Sequence, residues 1–260
     1  MRQVEHVMGT VFSIDLPGVG DGDPMAAAGL ERVRAELHRI DARYSTYLDD
    51  SEISRLRDGR VSEQELTQEC ADVLAACRMI RQETRYTFDP WCLPAGVDPS
   101  GYVKGWAIGR AVDLLVQAGF TDIGVNGGGD IQVLGGPSPG RAWRLGIRDP
   151  HDAELLAAVV ELSDGAMATS GGYERGGHIY HPLSREPITD HAILSATVIG
   201  PDPGAADAYA TALFVAGPDG FQWLPVERGY HGLVITAAGR IESDSGFPLL
   251  RQHFGSDTAP

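Results

Sequence analysis

Nine residues, Ala205-Ala206-Asp207-Ala208-Tyr209-Ala210-Thr211-Ala212-Leu213, constrain the fold of this chain more than any other stretch. The run is helical in character and almost wholly small and apolar, yet it carries one carboxylate and one hydroxyl four residues apart. Residues at i and i+4 share a helix face, so Asp207 and Thr211 can aim two oxygens at one point. Burying a carboxylate without a partner is costly, and the run itself offers no Lys or Arg. A hard cation such as Mg²⁺, which takes oxygen ligands and shares them with phosphate, would resolve the conflict. The alternative is a plain helix N-terminus, with Asp207 facing free backbone N–H groups and Thr211 merely packing. Taken alone, the segment favours that simpler account.

Charge narrows the function classes. Across 260 residues there are 21 Lys plus Arg against 36 Asp plus Glu, a formal charge of −15. That excess argues against sequence-independent nucleic-acid binding, which runs on phosphate neutralisation by basic side chains, and against adhesion to an anionic membrane. An acidic protein handling a phosphate ligand needs a metal or a local basic residue as intermediary. No apolar run approaches the roughly 20 residues of a membrane span. Cys70, Cys77 and Cys92 form no CxxC spacing, and on one helix Cys70 and Cys77 lie about 10 Å apart, beyond disulfide reach. An odd count of this kind fits a reducing compartment and no zinc site. With no secretory signal at the N-terminus, a cytoplasmic location is expected.

The periodicity predicts helices and strands interspersed without regular βαβ alternation. Gly9 to Leu16 alternates like a strand closed by Pro17-Gly18. Asp23-Pro24 opens a helix with Leu30, Val33, Leu37 and Ile40 on its apolar face. Ser62 to Glu65 reads as a capping box starting a second helix, whose stripe is Leu66, Cys70, Val73, Leu74, Cys77 and Ile80. A third is expected from about Tyr102 to Ala118, stopped by Gly119. Beyond it the texture is β: Ile123 and Val125, Ile131 to Val133, Trp143 to Ile147, Leu194 to Val198 and Leu233 to Ile235. The Asp207 helix should end near Gly217, with another short helix after it. The expectation is α+β, with mixed or antiparallel sheets and packed helices, in a single unit over 1–260 of one or two lobes.

Three further segments carry candidate chemistry. In Asp98-Pro99-Ser100-Gly101-Tyr102-Val103-Lys104-Gly105, a helix start capped by Asp98 with Lys104 nearby is a possible phosphate seat, or simply a capped helix with an exposed lysine. It is no P-loop, since GxxxxGK[ST] is absent. Asn126-Gly127-Gly128-Gly129-Asp130 fits either an anion-binding nest or a tight turn between strands, the turn being commoner. Thr169 to Arg175 is followed by His178 and His181, three apart. No third soft ligand accompanies them, which disfavours zinc, and the lack of GxSxG disfavours a Ser170–His178 nucleophile.

In order along the chain, these segments resemble the FAD:protein FMN transferase (ApbE) family. The residues that carry the likeness are Met8-Gly9-Thr10, Tyr44 to Tyr47 with Asp50 to Leu56, Phe88-Asp89-Pro90, Lys104 to Ala107, and Asn126 to Ile131. Trp143 to Pro150, Thr169 to Arg175, His178 to Pro187, and Ala206-Asp207-Ala208 with Thr211 complete it. The resemblance implies FAD-binding positions at Met8, Tyr47, Thr87, Phe88, Asp89, Asp98, Lys104 and Tyr180. It implies a magnesium site of Gly101 (through its carbonyl), Asp207 and Thr211, and catalytic roles for His178, as general base, and Asp207. Relatives usually carry a longer stretch between their Phe-Asp-Pro and Lys-Gly motifs than the one joining Pro90 to Lys104 here. Ala210 also stands where some relatives are acidic.

The function so implied is Mg²⁺-dependent transfer of FMN from FAD to a Thr or Ser hydroxyl of an acceptor flavoprotein, with AMP released. FAD is the substrate and the acceptor protein the partner. Two other outcomes share the pocket: hydrolysis of FAD to FMN and AMP, and a flavin-binding or assembly protein without catalysis.

Overall fold

The computed structural model describes residues 1–152, 154–172, 180, 182, 185, 186, 188 and 192–252. An eight-stranded sheet forms its middle. In chain order its strands are β1 (Arg2–Val7), β2 (Thr10–Asp15), β3 (Ile123–Gly127), β4 (Asp130–Leu134), β7 (Gly165–Gly171), β8 (Ile193–Gly200), β9 (His231–Thr236) and β10 (Ile241–Ser243). They lie side by side in that same order. A three-stranded sheet holds β5 (Trp143–Arg148), β6 (Leu156–Leu162) and β11 (Leu249–Gln252), ordered β11-β6-β5. Every described strand pair in both sheets is antiparallel, so the expected α+β class holds and its parallel component is absent among the described residues.

The large sheet is covered on both faces, which follows from strand periodicity of two. In β8, Val198 turns toward the helices while Ile199 turns toward the small sheet; in β9, Val234 and Leu233 divide in the same way. Five helices, α1 (Pro24–Tyr44), α2 (Glu52–Arg57), α3 (Gln68–Glu83), α4 (Ser100–Gln117) and α5 (Pro203–Ala216), gather on one face. Leu145, Ile147, Val160 and Phe247 fill the gap between the sheets on the other.

Local chemistry explains most boundaries and corrects several expectations. Asp23 caps α1 by accepting from the amides of Met25 and Ala26, and the expected apolar residues of that helix are all buried. The Ser62–Glu65 capping box exists, but it closes only a 3₁₀ turn over Glu63–Glu65. Helix α3 begins afresh behind Thr67, whose hydroxyl accepts from the Cys70 amide, so Leu66 lies outside it. Helix α4 starts two residues earlier than expected, with Pro99 at its cap position and the Asp98 carboxylate accepting from the Ser100 amide at 2.9 Å. The Gly127–Asp130 run resolves as a two-residue hairpin: Gly128 and Gly129 have φ of +64° and +97° and join the paired Gly127 and Asp130. Both central residues at positive φ match the twist of the flanking strands.

Candidate functional site

The site forms where α4 crosses α5 over the ends of β4 and β7. The crossing is close because Gly105 has no side chain. A Cβ there would lie 2.1 Å from the Pro203 carbonyl oxygen and 2.6 Å from its carbon. At this contact the Gly105 amide donates to Asp207 Oδ2 at 3.2 Å. The cap of α5 is Asp202, which accepts from the Ala205 amide at 2.7 Å. Asp207 sits one turn inside the helix and takes its N–H from another element, so the simpler helix-N-terminus account of this carboxylate does not apply.

The helix α5 is apolar all round and buried all round, and Asp207 is buried with it, 3% exposed. Its countercharge comes from α4: Lys104 Nζ lies 3.8 Å from Asp207 Oδ1 and in direct contact with Asp130 Oδ2. Asp130, 1% exposed, is a second buried carboxylate that sequence reasoning left without a role. Its other oxygen accepts from the Thr169 amide at 3.1 Å. The hairpin glycines set Asp130 at the first position of β4; the local sequence marks the turn but not the side chain's partner 26 residues back. Burial pushes the Asp207 carboxyl well above the usual carboxylate range, and the neighbouring Asp130 charge raises it further, while Lys104 and the Gly105 amide oppose the shift. Two buried carboxylates against one ammonium make a site short of positive charge.

Beside them, Thr211 Oγ1 and Ser170 Oγ are 3.1 Å apart. Gly101 faces Thr211 closely: a Cβ on Gly101 would meet Thr211 Oγ1 and Phe88 Cε2, each at 3.4 Å. Around this cluster lies a cavity of about 110 Å³. Of the residues singled out from the sequence, Thr87, Phe88, Asp89, Asp98, Gly101, Lys104, Tyr180, Asp207 and Thr211 all line it. Thr169, Ser170 and Cys92 line it too.

Not every candidate side chain is at liberty there. Asp89 Oδ1 pairs with Arg81 Nε at 2.8 Å and accepts from the Trp91 amide at 2.9 Å. Asp98 is engaged as a helix cap, and Thr87 Oγ1 donates to the Thr84 carbonyl at 2.7 Å. Met8 and Tyr47 do not line the cavity. Met8 stands at φ +56° in the β1–β2 hairpin, packed against the helix-side core, and Tyr47 projects from the loop after α1, 92% exposed. His178 lies outside the described residues.

The side chains at the centre offer carboxylate and hydroxyl oxygens and one ammonium. Among the described residues no three His, Cys, Asp or Glu side chains cluster as a metal site. Those oxygens suit a hard cation completed by a ligand's own oxygens. Among the described residues no helix is long and apolar enough to cross a membrane.

The sequence model described as the ApbE family matches residues 8–96 and 93–232. The FAD:protein FMN transferase of Escherichia coli (strain K12) is 26% identical over 294 residues, spanning 89% of this chain and 83% of that protein. That of Rhodobacter capsulatus is 36% identical over 154 residues, 56% of this chain and 29% of that protein. That of Klebsiella pneumoniae (strain 342) is 32% identical over 152 residues, 55% and 43%. The matched part is thus less than half the length of the latter two relatives. Among solved structures, the flavin transferase ApbE from Vibrio cholerae aligns over 96% of this chain and 99% of its own, with TM-score 0.82 and 23% identity. The ApbE protein of Thermotoga maritima aligns over 94% and 97%, with TM-score 0.78 and 23% identity. At that identity the likeness speaks for the fold.

Proposed function

Because this chain belongs to the ApbE family, we propose that it is a Mg²⁺-dependent FAD:protein FMN transferase that moves FMN from FAD to a Thr or Ser hydroxyl of an acceptor protein and releases AMP. The observation that carries the reading is Lys104 with Asp207 and Thr211 in the lining of the cavity, the ammonium backed by the buried Asp130. It is a polar floor with one ammonium and an unmet demand for cationic charge, the complement of a metal–diphosphate.

Asp207, Thr211 and the Gly101 carbonyl would hold the cation. Bound there, it would draw charge from the phosphate oxygens as the transferred group becomes more negative. Lys104 adds a fixed ammonium on the same floor, and Asp130 anchors that ammonium. In the transfer, the acceptor hydroxyl oxygen forms a bond to the FMN-side phosphorus as the bond to the AMP phosphate oxygen breaks. The hydroxyl proton passes to a base, the role assigned to His178, and AMP departs with the bonding pair. A cavity of about 110 Å³ is smaller than the roughly 300–1,000 Å³ of sites that engulf a drug-sized ligand. It suits the pyrophosphate, with the flavin and adenine extending beyond it.

The test is AMP release from FAD, with Mg²⁺ or with EDTA, in the presence of Thr- or Ser-containing acceptor peptides. Covalent flavin on a peptide, abolished by EDTA and by Asp207→Ala, is expected. AMP formed equally well without any peptide would replace transfer by hydrolysis. FAD bound with no AMP under any condition would reduce the chain to a flavin binder.

A further inference from the structure

The helix that carries Asp207 and Thr211 is gripped from behind by a polar contact that no pocket residue makes. Tyr209 lies about 200° around α5 from Asp207 and is 1% exposed. Its hydroxyl donates to Glu83 Oε2 and accepts from Arg228 Nη2, the latter at 2.8 Å. Arg228 Nη2 also pairs with Glu83 Oε1 at 2.9 Å. The Tyr209 ring is held edge-on to Tyr230, with centroids 4.9 Å apart.

Glu83 is the last residue of α3, and the chain turns immediately into the opposite wall of the pocket. Thr84 Oγ1 donates to the Ile80 carbonyl at 2.8 Å and accepts from the Phe88 amide at 3.3 Å. Arg85 and Tyr86, at φ +51° and +70°, complete the reversal. Phe88 then packs on the backbone of Gly101, the residue that abuts Thr211. The contacts close a ring: Tyr209, Glu83, Thr84, Phe88, Gly101 and Thr211, ending two residues along α5 from where it began.

We propose that Tyr209, Glu83 and Arg228 form a strut that fixes the spacing between the Asp207–Thr211 face and the Phe88 wall. They act as positioning residues for cation-dependent FAD binding, a role that rests on the flavin-transfer reading. Mg²⁺ demands near-ideal octahedral geometry, so a helix free to shift by a fraction of an ångström presents a poorer ligand pair. The strut's hydroxyl–carboxylate bond is charge-assisted, the stronger kind of hydrogen bond, and part-buried, with the Glu83 side chain 30% exposed.

The test reads binding, not turnover: quenching of FAD fluorescence by the full chain, titrated with Mg²⁺. Tyr209→Phe removes only the hydroxyl and leaves the ring against Tyr230. It should raise the Mg²⁺ concentration for half-maximal FAD binding about five- to tenfold, the scale of one charge-assisted hydrogen bond partly transmitted. At saturating Mg²⁺, FAD affinity should stay within about twofold. Glu83→Ala should behave likewise, whereas Glu83→Gln, which still offers the hydroxyl an acceptor but without the charge, should fall between wild type and Glu83→Ala. Asp207→Ala calibrates the assay by losing the Mg²⁺ dependence. A Tyr209→Phe protein that melts lower yet keeps the wild-type Mg²⁺ requirement, while Asp207→Ala loses it, overturns the strut and leaves the function standing. Unchanged Mg²⁺ dependence in Asp207→Ala overturns the cation reading and the strut with it.

Discussion

Replacing Gly105 by alanine tests whether the α4–α5 crossing sets the site. The added Cβ would sit 2.1 Å from the Pro203 carbonyl oxygen, 2.6 Å from its carbon and 2.9 Å from the Gly204 nitrogen. All three are backbone atoms, so no flexible side chain can swing away. A carbon–oxygen contact relaxes to about 3.3 Å, so the helices must part by roughly 1 Å. Overpacking of this kind costs about 1–3 kcal/mol. Parting the helices also stretches the Gly105 N–H bond to the Asp207 carboxylate, 3.2 Å long, and bonds to charged groups contribute about 1.5–3 kcal/mol. Alanine's better helix propensity returns about 1 kcal/mol. The net expectation is a loss of roughly 2–4 kcal/mol, read as a lower urea midpoint in tryptophan fluorescence with the slope unchanged. Gly109→Ala is the control on the same helix. Its Cβ would meet side chains alone, Pro203 at 3.2 Å and Gln132 Oε1 at 3.7 Å, and it should stay within about 1 kcal/mol of wild type. Equal losses in the two variants, or none in Gly105→Ala, would refute the argument that the backbone crossing is limiting.

Two further outcomes follow from the charges. Lys104→Met strips the ammonium from two buried carboxylates and should cost about 3–5 kcal/mol near pH 7. The loss should shrink by about pH 5, where Asp207 holds its proton more readily; urea unfolding at both pH values checks this, and a pH-independent loss would count against it. Asp207→Asn keeps the acceptor for Gly105 without the charge. Because the folded protein holds the Asp207 carboxyl well above the ordinary 3.8, wild-type stability is fullest below that value and declines as pH rises through the elevated folded one. In EDTA, the thermal stability of Asp207→Asn relative to wild type should therefore grow from about pH 5 to about pH 8. Parallel curves would mean the burial of Asp207 carries no such penalty.

How much was legible in the sequence depends on whether both partners of an interaction lie within one element. Asp207 and Thr211 announced themselves because four residues on a helix place them together. Lys104 was visible as a lysine near a helix start, but not as the partner of Asp207, since only the α4–α5 crossing brings them close. Asp130 looked like the end of a glycine turn; its contacts, Lys104 and the Thr169 amide, come from 26 residues before and 39 after. The Ser62–Glu65 box misled because its pattern is satisfied within a single 3₁₀ turn, while Thr67 starts the real helix. Strand β1 escaped notice because it is an edge strand with exposed side chains along most of its length, and such strands carry little apolar signal.

The double covering of the large sheet gives the molecule two electrostatic climates. Helices α1 and α3 are tied by ion pairs that water still reaches in part, such as Arg39 with Glu36 and Glu69, and Arg43 with Glu69. At physiological ionic strength the screening length is about 8 Å, and such pairs weaken as salt is added. Asp130 stands on a strand with helices above it and a second sheet below, where counter-ions do not follow. Salt will therefore loosen the ion pairs that tie α1 to α3 well before it touches the charges on the pocket floor.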